Sequence, residues 1–533
     1  MRTWPQPIDP LHGMALSALA AAGPLLLLLA LMGVLRKSAS VSAVWGLAAA
    51  FFLAEAVWRM PLRLAVLSAA FGAVYALWPI MWIVLAALWL YNLSVDTGSF
   101  ELLRCWMAEH ASGDEGVQAI LVAFCFGALL EGTAGFGSPV AIAAFLLVAL
   151  GFSKRQAVKV SLIANTAPVA FGALGIPIVA LAAVTGLSLG KLSAMVGRQL
   201  PFISVLLPAY LVWVLGGRKG LKAVWPAALT GGLTFAMTQF LVSNSWGPYA
   251  PDILASVASI VAMVVLLRYW KPATSKEIAG QGSQAPERLS RHESLRAWLP
   301  WVVLSAVMMG WSYLRLFQKA SLHIPVPHLH DAILITLYQR VYGAMYDFQP
   351  LAAGTAALGA TLITAVLLRA SPSLILKSGH KTAKQLTLPG LTVCLIVALA
   401  YLYNYSGMTY TLGAALAGLG KLFPFASGFL GWLACFMTGS DTASNLLFGN
   451  LQVAAAHKIG VNPLLLAATN SSGAVTGKMI SPQNIAIGVT TVGLVGREGE
   501  VLRSTLWHSL VLASFLSILA FLQAHWLRWM VPS

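Results

Sequence analysis

Long apolar stretches separated by short polar ones set the pattern of this chain. Apolar runs cover residues 11–34, 40–57, 64–94, 157–185, 195–215, 223–243, 252–269, 298–315, 350–369, 386–405, 463–495 and 505–527. Most approach or exceed the ~20 residues needed to cross a ~30 Å hydrocarbon core. Backbone amides cannot go unpaired in lipid, so such runs must be helices or strands of a closed barrel. They are continuous rather than alternating, which selects helices. The pattern therefore predicts an all-α polytopic membrane protein with about twelve transmembrane helices, the third broken at Pro79. Two further apolar stretches, 118–152 and 427–455, are interrupted midway by Gly, Pro and polar residues. They read as re-entrant hairpins, because non-helical backbone at membrane depth is tolerated only where it is buried in protein or lines water.

One spacing recurs in both halves of the chain: Asn, six residues, Gly, four residues, Pro. It appears as Asn165–Gly172–Pro177 in NTAPVAFGALGIP and as Asn470–Gly477–Pro482 in NSSGAVTGKMISP. Each copy follows an interrupted stretch that carries a lone acid, Glu131 in GALLEGTAGFGSP and Asp441 in FMTGSDTASNLLFG. Helix breakers and carboxylates at matched points of two hydrophobic halves are the pattern of a transporter site. The expected organisation is a first half at 1–269 (hairpin 118–152, broken helix 157–185), a cytoplasmic linker at 270–297, and a second half at 298–533 (hairpin 427–455, broken helix 463–495).

Composition agrees with the spans: 59% of residues are hydrophobic and 9% charged, against roughly 25% charged in soluble domains. The net charge of +16 does not mark a nucleic-acid binder. Its basic residues fall in short loops, with about twice as many on one side of the predicted spans as on the other. The positive-inside bias then puts both termini outside, the first hairpin open to the cytoplasm and the second to the outside, so that the two Asn–Gly–Pro units form an inverted pair. Cys105, Cys125, Cys394 and Cys435 are scattered without metal or disulfide spacing. His323, His328 and His330 cluster in the loop at 316–348, where exposed histidines are usually unremarkable, so no metal site and no cofactor are expected. The polar start MRTWPQPIDPLHG has no signal-peptide cleavage pattern. Trp58, Trp78, Trp82, Trp89 and Trp526 read as an interfacial aromatic belt.

The strings EGTAGFGSPVAI, NTAPVAFGALGIP, GRQLPF, FLGWL, TGSDTASN, GKMISPQNIAI and GLVGREG closely resemble the L-lactate permease family, and the resemblance runs from WPQPIDP to QAHWLRWMVP. It implies a secondary transporter, not an enzyme, in the bacterial inner membrane, importing L-lactate, with D-lactate and glycolate, together with protons. Two alternatives stand beside it: a sodium-coupled transporter of another small carboxylate, and a passive anion channel.

Moving a hydroxycarboxylate through hydrocarbon requires groups that replace its hydration and a way to cancel its charge. Helix breaks supply free N–H groups and positive dipole ends. Gly132, Thr133 and Gly135 in the first hairpin, and Asn165 and Thr166 beside Pro168, are substrate-binding candidates of the first half. Pro168 removes a backbone donor, so the helix near Asn165 is expected to unwind. Ser440, Thr442, Asn445, Asn470, Ser471 and Ser472 add hydroxyls and amides from the second half. The competing reading of such small polar residues is close helix packing. Glu131 and Asp441 are the proton-coupling candidates, since burial penalises the charged form of a carboxylate and an intramembrane acid is functional by default. For the cation, Lys478 inside the second repeat is preferred as partner of the substrate or of an acid; Arg198 is the other candidate, with snorkelling to an interface as its alternative.

Overall fold

The computed structural model describes residues 3–33, 35, 37–110, 114–135, 137–272, 289–314, 316 and 319–532; most of the expected linker, 273–288, lies outside them. Among the described residues nine helices are long and apolar enough to cross a membrane, ten if the bent pair Lys154–Ala164 and Val169–Thr185 is one span. The difference from twelve has local causes. Leu189–Ser245 counts once, yet Gly217 leaves helical geometry at φ 58°, ψ −153°, and the chain folds back so that Gly232 packs on Val205. Of the remaining expected spans, 298–315 falls largely in Arg291–Tyr313, which is not among the nine, 350–369 becomes the short helix Ala353–Leu367, and 463–495 divides into Pro463–Lys478 and Pro482–Thr491. The nine in turn include Glu115–Thr133 and Met408–Thr438, which carry arms of the interrupted stretches. The expected break of the third span is present: Trp78 has φ −138°, ψ 120°, the extended geometry that a following proline imposes.

The periodicity of the apolar runs did not reveal a small β cap. Strands β1 (Trp4–Pro5), β2 (Leu322–Pro325), β3 (Ile333–Ile335), β4 (Arg340–Val341) and β5 (Met345–Phe348) form two sheets. β1 runs parallel to β3 and β3 antiparallel to β4, while β2 pairs antiparallel with β5. Gln6 then donates to the carbonyls of Asn404 and Tyr405, tying the start of the chain to the helical body. His323 pairs with Asp347 and His330 with Asp331, so these histidines serve the cap. Trp58 is fully buried rather than interfacial.

Each interrupted stretch is two helices packed back on one another: Glu115–Thr133 with Ser138–Ala149, and Phe423–Thr438 with Asp441–Ile459. Left-handed Gly137 (φ 83°) and Gly439 (φ 70°) make the turns, a conformation that costs glycine little. The two broken helices follow. Lys154–Ala164 meets Val169–Thr185 at 67°, while Pro463–Lys478 continues into Pro482–Thr491 after only Met479–Ser481. They cross the protein in opposite directions. Lys154 starts beside Gly493, with Arg155 3.8 Å from Glu500, and Thr185 ends beside Gly449. The helix carrying Gly449 runs on to His457, which packs against Tyr338 below the β cap. The second broken helix starts at that end, after His457 and Asn462, and finishes at Thr491 beside Gly493.

Candidate functional site

Both hairpin turns and both helix breaks converge on one cavity of about 150 Å³. The first half contributes Glu131, Gly135, Gly172, Ala173, Ile176 and Pro177; the second contributes Gly439–Thr442, Lys478, Gln483 and Asn484. Pockets for drug-sized ligands start near ~300 Å³, so this one suits a ligand of few heavy atoms. Two helices start at its wall, Asp441–Ile459 capped by Ser440 and Pro482–Thr491 capped by Ser481. Their positive dipole ends favour an anion there.

Sequence dictates this geometry locally. The helix Lys154–Ala164 stops one turn before Pro168, where the ring would clash with a continuing helix. Ala173, Leu174 and Gly175 then take three consecutive left-handed conformations (φ 44°, 59° and 71°) before the helix resumes. For Ala173 and Leu174 this costs about 1–2 kcal/mol each. Gly172 explains why no side chain is placed beside them: a Cβ there would stand 2.7 Å from Glu131 Oε1. In both repeats the proline of the signature falls in the first turn of the helix after the break, the position where its missing N–H costs least.

At the centre, Lys478 Nζ lies 2.6 Å from Glu131 Oε1, and both side chains are buried. Asn165 Nδ2 donates to the other oxygen, Oε2, at 2.9 Å. One ion pair thus joins the break of each half. Asp441, also buried, accepts from Ser471 Oγ through Oδ2 at 2.8 Å, while its Oδ1 has no partner. Asn445 bridges the halves: its Nδ2 donates to Pro177 O at 3.0 Å and to Ser471 Oγ at 3.1 Å. Asn470 donates to Asn445 Oδ1 and accepts from Gln452 Nε2, which places it in the amide network behind the cavity wall.

Not every candidate is at the cavity. Gly135, Ser440 and Thr442 line it. Gly132 packs against Asp252 and Ile253, and Thr133 Oγ1 returns a hydrogen bond to Leu129 O in its own helix. Thr166 Oγ1 and Ser472 Oγ are buried without partners, away from the lining. Arg198 lies elsewhere, with Nε donating to Asn244 Oδ1 and a terminal nitrogen to Met530 O, both at 2.9 Å. It fastens the C-terminal segment. Gln483 and Asn484 line the cavity without having been singled out in the sequence, although they directly follow the signature proline. Among the described residues no group of three or more His, Cys, Asp or Glu is arranged to hold a metal ion.

Comparison with known proteins places the chain in a family. The family model for L-lactate permease matches residues 17–527. The chain belongs to the L-lactate permease family. The permease is 42% identical to the glycolate permease GlcA of Escherichia coli K12 over 98% of its own length and 99% of that relative's. It is 41% identical to the L-lactate permease of the same strain over the full length of both. The L-lactate permease of Bacillus subtilis 168 is also 41% identical, over 99% of this chain and 100% of that one. Among solved structures, the YdaH transporter of Alcanivorax borkumensis aligns over 85% of this chain and 86% of its own, at 16% identity and a TM-score of 0.46. Together with its apolar helices, family membership makes the permease a multi-pass protein of the inner membrane.

Proposed function

We propose that the permease imports small hydroxycarboxylates, L-lactate together with D-lactate and glycolate, each with one proton. The observation that carries this reading is the buried Lys478–Glu131 pair at the wall of a cavity of small-ligand size. An arriving carboxylate and Glu131 compete for one ammonium. When the substrate takes Lys478, Glu131 is left as a buried charge held only by Asn165. Leaving one partner of a buried pair uncompensated costs about 3–5 kcal/mol, and a proton on Glu131 removes that cost. Substrate anion and proton therefore enter together, and the loaded site carries no more charge than the empty one. The unpartnered Oδ1 of Asp441 supplies an acceptor for the substrate hydroxyl, and Asp441 is the second acid able to take up a proton. Family membership and the L-lactate and glycolate permeases among its relatives support the substrate class.

The test is uptake of labelled lactate into proteoliposomes under separately imposed proton and sodium gradients. Accumulation above equilibrium with the proton gradient alone is expected. Accumulation driven only by sodium, or equilibration without accumulation, would replace this reading with the sodium-coupled or the channel alternative. Glu131→Gln should reach the membrane and lose proton-driven accumulation.

A further inference from the structure

A third buried acid stands behind Glu131, and nothing in the substrate site uses it. Asp252 opens the helix Pro251–Tyr269 and is 1% exposed, yet it does not line the cavity. Its Oδ1 accepts from Gln239 Nε2 at 2.9 Å, and its Oδ2 is buried with no partner. No ion pair reaches it among the described residues. A carboxylate serving only to anchor Gln239 has no need of a second oxygen left bare, because a polar atom buried without a partner is costly. A carboxylic acid that gives and takes a proton does need it.

Two contacts tie Asp252 to the coupling pair. Gly132, next in the chain to Glu131, is packed so closely that a Cβ on it would stand 3.1 Å from Asp252 Cβ. Gln239, which holds Asp252, also reaches Ala167 O at 3.4 Å. Ala167 belongs to the unwound stretch whose Asn165 holds Glu131, and the neighbouring Thr166 has a buried hydroxyl without a partner. The groups facing Asp252 are few. The 127–133 segment brings Glu131, and the helix Leu200–Ser245 brings Gln239 and Ser204. On the 119–126 stretch Cys125 is bound to Ser259, and Tyr249 lies three residues before Asp252 on its own segment. The charged residues of the helix Arg291–Tyr313 (Arg291, His292, Glu293 and Arg296) all lie in its first two turns.

We infer that Asp252 is a further proton-binding residue of the coupling machinery, loading Glu131 when substrate takes Lys478. This rests on the coupling reading above. In the step, the O–H bond of the Asp252 acid breaks with its electron pair staying on the carboxylate. An O–H bond forms on the Glu131 oxygen released by Lys478, and a hydronium ion from the acidic side returns a proton to the Asp252 carboxylate, leaving water. No oxidant or reductant is involved.

The experiment compares two modes of the full-length permease in proteoliposomes: accumulation driven by a pH gradient, and lactate–lactate exchange at equal pH, which moves no net proton. Asp252→Asn keeps the shape and the bond from Gln239. It is expected to lose gradient-driven accumulation by about tenfold or more while keeping substantial exchange. Wild-type accumulation in Asp252→Asn would overturn the inference and leave an anchoring role. If Asp252→Asn loses both modes, Asp252→Glu decides. Recovered accumulation with a displaced pH profile supports the inference, and no recovery or an unchanged profile overturns it. Failure of the wild-type arm to accumulate lactate on a proton gradient would instead overturn the coupling reading, and this inference with it.

Discussion

The two repeats share a spacing but not a chemistry. In the first, the Asn–Gly–Pro unit ends one helix at Asn165, bends the chain by 67° and forces Ala173 and Leu174 into left-handed geometry. In the second, Asn470 and Gly477 remain inside a regular helix and the break is confined to Met479–Ser481. The acids are offset as well: Glu131 ends the helix before its hairpin turn, and Asp441 begins the helix after its turn. The strained repeat supplies the carboxylate; the regular one supplies Lys478. The break in one half thus presents a carboxylate and the break in the other an ammonium, and the two meet in one buried pair.

The largest expected effect comes from removing the second repeat's charge. Lys478→Ala should bring lactate uptake to background and lower the stability of the purified protein by about 3–5 kcal/mol, because it strands Glu131. Adding Glu131→Gln should restore most of the stability, read by thermal unfolding, and none of the uptake. Full stability in Lys478→Ala would mean that the two repeats are not joined by this pair.

Arg198, the cation of the first half, is the intermediate case. Arg198→Gln should leave the KM for lactate unchanged and destabilise by about 1–3 kcal/mol through lost bonds to Asn244 and Met530. A raised KM without destabilisation would show that the first half, too, presents a cation to substrate.

The smallest effect compares one substitution in two settings. Ala173→Gly relieves a left-handed alanine and should raise stability by up to about 1 kcal/mol. Ala474→Gly, in the regular helix of the other repeat, should lower it by about 1 kcal/mol or more. Equal signs in thermal unfolding would remove the claimed difference in strain.

Much of this was legible in the residues. Long apolar runs announced the helices because lipid leaves the backbone no alternative. Pro79 and Pro168 announced breaks because proline acts on its own neighbours. Lys478 stood out as partner of the substrate or of an acid because it lies inside the second repeat, and the fold set Glu131 against it. What stayed hidden depended on distant packing. Asp252 sits at the start of an apolar run, where an acid reads as interfacial, and only the fold carries it inward against Gly132. Arg198 was open between a site cation and a snorkelling one, and the fold gives it the C-terminal segment as partner instead. The β cap joins residues near 5 to residues near 334, a pairing that no local period encodes.

The central claim is that substrate displaces Glu131 from Lys478 and that Glu131 then takes up the proton. Simultaneous recording of labelled lactate and of proton entry in the same proteoliposomes tests it most directly. The account predicts about one proton per lactate in the wild type, and lactate movement without proton entry in any residual flux of Glu131→Gln. Unchanged proton entry per lactate in Glu131→Gln would contradict it.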